Sequence, residues 1–137
     1  GKWIIRRTLP TKTISCWGDE EARKLIGTEL EYGSDLFRWQ KVVTKSPLVE
    51  ETTVTARQFH DENSGRGRDS SQVTFGHLGI REPRAVQIVF QHPPANLTGA
   101  TIEIPGDFVL VKDRNTIIFP VCNVYFEAER SSALHRE

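Results

Sequence analysis

An excess of charge of either sign is the first thing this 137-residue chain lacks: eighteen basic and eighteen acidic side chains cancel to a formal net charge of zero. With no global field to recruit nucleic acid or an anionic membrane, neither is expected as a partner. No apolar run approaches the roughly 20 residues of a membrane-spanning helix, so no membrane insertion is expected. Gly1-Lys2-Trp3 lacks the charged-then-apolar pattern of a signal peptide, and a strand starting at once reads as the mature part of a longer precursor. Methionine is absent, and cysteine occurs only at Cys16 and Cys122. Two cysteines are far from a dense disulfide framework and allow either one bridge or two buried thiols. The sequence contains no Gly-x-Ser-x-Gly elbow, no phosphate-cradling glycine loop, no Cys-x-x-Cys and no internal repeat.

What is present is 37% hydrophobic and 26% charged, a balance that fits one globular domain with its own core. KWIIRRT alternates, with Trp3 and Ile5 on one face and Lys2, Ile4 and Arg6 on the other, which predicts a strand with one well-buried side. GDEEARKLIG predicts a helix over 18–27. Asp19 stands as N-cap, Glu20 and Glu21 at the positive end of the dipole, and Gly27 as the stop. Its apolar stripe is Ala22, Leu25 and Ile26. TELEY, LFRWQ, TTVTARQF, PRAVQIVF, DFVLVK, NTIIF and NVYFEAER read as further strands, with DRN as a tight turn. SSQVTFGHLGI reads as a second short helix, capped at Ser70 or Ser71 and ended near Gly79, although Gly76, Val73 and Thr74 are poor helix formers. DENSGRGRDSS is the one polar, loop-like stretch.

Eight strands must deal with their edges, and closure into a barrel removes them. Closure pairs the first strand with the last. Trp3 then falls near Glu129 and Arg130 at one end, and the loop after Pro10 falls near Pro120 to Cys122 at the other.

Gly1-x-Trp3 at the head of the first strand, with Arg130 ending the last, resembles the lipocalin pattern, in which the tryptophan plugs the barrel and a basic residue packs across the indole. A longer resemblance runs through EEARKLIGTELEYGSDLFRW, LGI, IPGDFVLVKDRNTIIF and VYFEAER. This order is similar to that of a group of small bacterial lipocalin-like proteins, usually exported. The resemblance implies an all-β, eight-stranded, mainly antiparallel lipocalin-like barrel over residues 1–130, one or two short helices, and a tail over 131–137. It also implies a periplasmic or secreted location, and it brings no catalytic residues. Trp3 and Arg130 are its structural residues, and Cys16 and Cys122 join them as structural residues on the ground of closure alone. Because closure brings both cysteines to one end, a Cys16–Cys122 disulfide is expected, a bond that persists outside the reducing cytosol.

Three functional readings follow. In the first, Phe37, Trp39, Phe59, Phe90, Phe108 and Tyr125 line a cavity for a small apolar ligand that opens beside the 61–71 loop. Phe119 and Phe126 could line it as well, and the competing use of all these phenylalanines and of Trp39 is to fill the core. Arg38, Arg57 and Gln87 would join Tyr125 as orienting groups only if they point inward. In the second reading the chain is a protein-binding module or inhibitor of the bacterial envelope. In the third it is an enzyme with an acid–base site at the barrel mouth, resting on His60, Asp61, Glu62 and His77. Their spacing matches no metal signature, and FHDEN reads first as a solvated charge cluster. Arg66 and Arg68 lie in the polar loop, and Asn96-Leu97-Thr98 reads as a surface turn. The expectation is non-catalytic ligand binding, with no cofactor and no metal.

Overall fold

The computed structural model describes residues 1–11, 19–40, 42–45, 47–64, 72–91, 97–98 and 105–131. Among them the strands are β1 (Lys2–Thr8), β2 (Glu29–Tyr32), β3 (Leu36–Trp39), β4 (Val42–Lys45), β5 (Leu48–Thr55), β6 (Arg84–Gln91), β7 (Leu97–Thr98), β8 (Phe108–Asp113), β9 (Thr116–Val121) and β10 (Val124–Arg130). The helices are α1 (Asp19–Arg23) and α2 (Ala56–Asn63). The strands form one sheet in the order β5-β6-β8-β9-β10-β1-β2-β3-β4-β7, with antiparallel ladders throughout. The sheet is curled into a half-barrel. The chain is thus all-β and barrel-like, with ten described strands where eight were expected. The two additions are the short β4 and β7. No ladder joins β5 to β4 or β7 among the described residues.

First and last strands pair, Trp3 opposite Arg130 and Ile4 opposite Glu129. A register shift between Ile5 and Arg7 sets Arg7 opposite Glu127, which delivers the Arg7 side chain to the Glu127 carboxylate. Short turns fix the neighbouring registers. Asp113 Oδ1 accepts the Asn115 N–H at 2.8 Å in the β8–β9 turn. Cys122 and Asn123 both take positive φ, +53° and +63°, in the two-residue β9–β10 turn, the backbone that matches the twist of a tight hairpin.

Because successive side chains alternate across a strand, the sheet carries two cores. On the inner face Trp3, Ile5, Leu30, Phe37, Val42, Val109, Ile117, Phe119 and Phe126 pack together with Ala22 and Leu25 of the α1 segment. On the outer face Ala85, Leu110, Ile118 and Tyr125 are covered by Phe59 of α2 and by Val73, Phe75, Leu78 and Ile80. The expected helix over 18–27 is shorter. Regular α1 ends at Arg23, and turns lead to Gly27, whose φ of +92° stops the segment as expected. Ile26 departs from its expected place in the apolar stripe and is exposed, because the non-helical turn rotates it away from Ala22 and Leu25. The N-cap role expected of Asp19 falls outside the described side chains.

TTVTARQF is not one strand. Thr55 ends β5 and caps α2: its hydroxyl accepts the Gln58 N–H at 3.1 Å, and Gln58 Oε1 accepts the Thr55 N–H at 2.9 Å. This reciprocal box satisfies two donors that a helix start leaves unpaired. The second helix expected near Gly79 is instead a run of turns over 75–79. Thr74 Oγ1 accepts the His77 N–H and His77 Nδ1 accepts the Thr74 N–H, and Gly79 has a φ of +73°. These side chain to backbone bonds accompany a few turn-type backbone bonds, among them Leu78 N–H to the Thr74 and Phe75 carbonyls and Ile80 N–H to the Phe75 carbonyl. The caps expected at Ser70 and Ser71 lie outside the described residues, as do 65–71, 92–96 and 132–137.

Candidate functional site

The inner face does not fill completely. A cavity of about 330 Å³ lies against it, lined by Trp3 of β1, Tyr32 of β2, Ile88 and Phe90 of β6, Val109 and Val111 of β8 and Ile117 of β9. Asp113, Arg114 and Arg130 add a charged margin. The hairpin registers explain the floor: Val111 stands opposite Ile117 and Val86, and Val109 opposite Ile88, so one parity of each strand faces the same space. Size and lining are those of a small-ligand pocket, mostly apolar with a few polar groups.

One wall is aromatic. Tyr32 stacks on Phe90 with ring centroids 4.9 Å apart, and Phe37 lies 5.2 Å from Tyr32. The Tyr32 hydroxyl donates to the Gly106 carbonyl at 2.6 Å. Burial, and secondarily the Asp107 carboxylate, hold this phenol well above the usual tyrosine range. At the margin the Arg130 guanidinium lies over the Trp3 ring, 4.5 Å from its centroid. Its Nε and Nη2 both donate to the Arg114 carbonyl, at 3.0 and 2.8 Å. The turn between β8 and β9 thus holds the cation over the indole.

The six aromatic residues proposed from the sequence do not share one space. Phe37, Trp39 and Phe90 belong to the inner face; Phe59, Phe108 and Tyr125 belong to the outer one. Of the six, Phe90 lines the cavity. Trp39 Nε1 donates to Thr28 Oγ1 at 3.3 Å. Phe59 sits edge-on to Tyr125 with centroids 6.3 Å apart, and burial pushes the Tyr125 phenol up to about 12. The cavity sits beside Trp3 and Arg130; of the 61–71 loop proposed as its mouth, 61–63 are the end of α2 and 65–71 lie outside the described residues. Arg38 and Arg57 face acids on the exposed surface, Glu31 and Asp61. Gln87 stands opposite Leu110 on the outer face, with its Oε1 buried and unpartnered among the described residues.

His60 Nε2 lies 3.0 Å from Gln72 Oε1, and His77 is engaged with Thr74, so the two rings serve separate local contacts. No group of three His, Cys, Asp or Glu side chains that could hold a metal occurs among the described residues. Cys122 is disulfide-bonded; Cys16, the other cysteine of the sequence, lies outside the described residues.

Tyr32, Ile88, Val109, Val111, Ile117 and Arg114 escaped the sequence reading, which followed aromatic content. A signal for the floor was present: the DRN turn sets DFVLVK against NTIIF and so puts Val109, Val111 and Ile117 on the face opposite Phe108. Compared with protein families, with curated proteins and with solved structures, the chain matches none.

Proposed function

We propose that this chain is a lipocalin-like protein of the bacterial envelope, periplasmic or secreted, that binds a small, mainly apolar ligand without catalysis. The observation that carries the reading is the inner-face cavity of about 330 Å³, walled by valine, isoleucine and aromatic side chains from five strands. Burying such a ligand removes apolar surface from water on both partners, worth about 25 cal/mol per Å² before the costs of association. The disulfide at Cys122 supports the envelope location, since such bonds persist in oxidising compartments.

Titration of delipidated protein with the neutral fluorophore N-phenyl-1-naphthylamine tests the reading. Saturable binding near one equivalent is expected, with loss of binding in Val109→Trp, which fills the floor. Absence of saturable binding to the folded parent protein would overturn it.

A protein-binding envelope module is the second reading, and a separate feature favours it. Leu48 and Val49 at the start of β5 are 62% and 58% exposed, on a strand with one ladder side unpaired among the described residues. Exposed apolar edge strands are templates for pairing with another chain.

A further inference from the structure

The margin of the cavity carries more positive charge than it neutralises. Neither Arg114 nor Arg130 has a carboxylate within 4 Å among the described residues, although Arg6, Arg7, Arg38 and Arg57 each have one. Asp113, the one acid in the lining among the described residues, has Oδ1 occupied by the Asn115 N–H. Arg130 is placed by its stacking on Trp3 and its two bonds to the Arg114 carbonyl, which use two of the five N–H groups of a guanidinium and leave those of Nη1 and the second of Nη2 to donate. Arg114 is exposed on the turn directly beside it.

Resting on the ligand-binding reading above, we infer that the cavity selects an apolar molecule bearing one acidic head group, its tail on the Val109–Ile117 floor and its anion at Arg114 and Arg130. The chemistry is complementary at both ends. A neutral ligand fills the floor and leaves the two cations as they are. An anion adds charge-assisted hydrogen bonds, about twice as strong as neutral ones. A cationic head group meets net repulsion, because two arginines outweigh one aspartate. Holding Arg130 in place in advance lowers the ordering cost of each such bond.

Displacement of bound N-phenyl-1-naphthylamine by decanoate, decanol and decylamine tests the inference on the whole chain. Decanoate is expected to displace at a concentration about tenfold or more below decanol, the factor that one hydrogen bond to a charged group supplies, with decylamine the weakest. The ratio of decanoate to decanol should shrink as salt is raised. It should fall toward one in Arg114→Gln and recover in part in Arg114→Lys, the fold of each variant being checked by thermal melt. Decyl phosphonate replaces decanoate in a parallel arm to separate carboxylate from phosphorus-acid chemistry, and a preference for either over decanol supports the inference. Equal displacement by acid and alcohol, or an unchanged ratio in Arg114→Gln, overturns it while leaving apolar binding intact. Failure of the fluorophore itself to bind overturns both.

Discussion

Tyr32 on β2 and Phe90 on β6 stack 4.9 Å apart although four strands, β8, β9, β10 and β1, separate theirs in the sheet. Only a strongly curled sheet allows this contact, so the pair is the measure of the half-barrel's curvature. It also leaves the Tyr32 side chain half-buried.

That burial has a spectroscopic consequence. The chain has two tyrosines, both with raised ionisation, Tyr125 to about 12 and Tyr32 well above its usual range. Near pH 10, where an ordinary tyrosine is half ionised, absorbance at 295 nm should show little tyrosinate in the folded protein and about half in denaturant. The sign for stability follows: the folded state holds these protons more tightly than the unfolded chain. The contribution is complete below about pH 10 and is lost as pH rises from there through the native values. Thermal midpoints should fall over that window and fall less in Tyr125→Phe.

Gly106 is a second local determinant of the same wall. Its φ is +82°, and a Cβ there would meet the Tyr32 hydroxyl oxygen and come within 2.9 Å of Leu30 Cδ1. Left-handed backbone costs a non-glycine residue about 1–2 kcal/mol, and overpacking adds about 1–3 kcal/mol. Gly106→Ala should therefore destabilise by about 2–5 kcal/mol in denaturant titration and weaken N-phenyl-1-naphthylamine binding, because Tyr32 must move.

Trp3 and Arg130 face each other across the β1–β10 ladder. Trp3 is 8% exposed, so Trp3→Ala should cost about 3–5 kcal/mol as a large-to-small change. Arg130→Ala loses a cation–π contact of about 0.5–2 kcal/mol. A double-mutant cycle by thermal or urea unfolding should give a positive coupling between the two, and additive losses would show that the stacking contributes nothing.

The pairing of first and last strands was legible because alternation in KWIIRRT and NVYFEAER sets parity, and closure sets the partners. Helix α2 was misread because TTVT is β-branched and continues into ARQF without a glycine or proline. The Thr55-x-x-Gln58 box that starts the helix is nonetheless a sequence signal. The 72–80 segment was misread in the opposite sense: Val73, Phe75, Leu78 and Ile80 mimic a helical stripe, yet they serve as a lid on Tyr125 and Leu110 through irregular turns. The cavity was the least legible feature, because a half-barrel with two cores assigns its aromatic residues to opposite faces. Only the register decides which.

The disulfide at Cys122 makes a chemical prediction. Alkylation without reductant should leave the intact mass unchanged, and reduction should expose two reactive thiols, one at Cys122 and one at Cys16, the only other cysteine of the sequence. Cys122→Ser should lower stability by about 2–4 kcal/mol, the usual range for a native bridge. Two adducts before reduction, in protein recovered from its own compartment, would argue against both the bond and an oxidising location.

Glu127 is 2% exposed and is held between two cations, with Arg7 Nε at 2.8 Å and Lys112 Nζ at 3.3 Å. The cations differ in burial: the Arg7 side chain is 64% exposed and that of Lys112 is 29% exposed. Removing Glu127 frees two groups that can turn toward water, whereas removing both cations strands a carboxylate that cannot. Breaking a buried pair from the side that leaves a buried charge costs about 3–5 kcal/mol. The double variant Arg7→Ala/Lys112→Met should therefore lose about that much in urea unfolding, and Glu127→Gln about 1–3 kcal/mol, the cost of an impaired buried polar contact. Arg7→Ala alone should cost under about 1 kcal/mol, since its head group is solvated and Lys112 remains. Equal losses for the double variant and Glu127→Gln would mean that water reaches the carboxylate once Arg7 is gone.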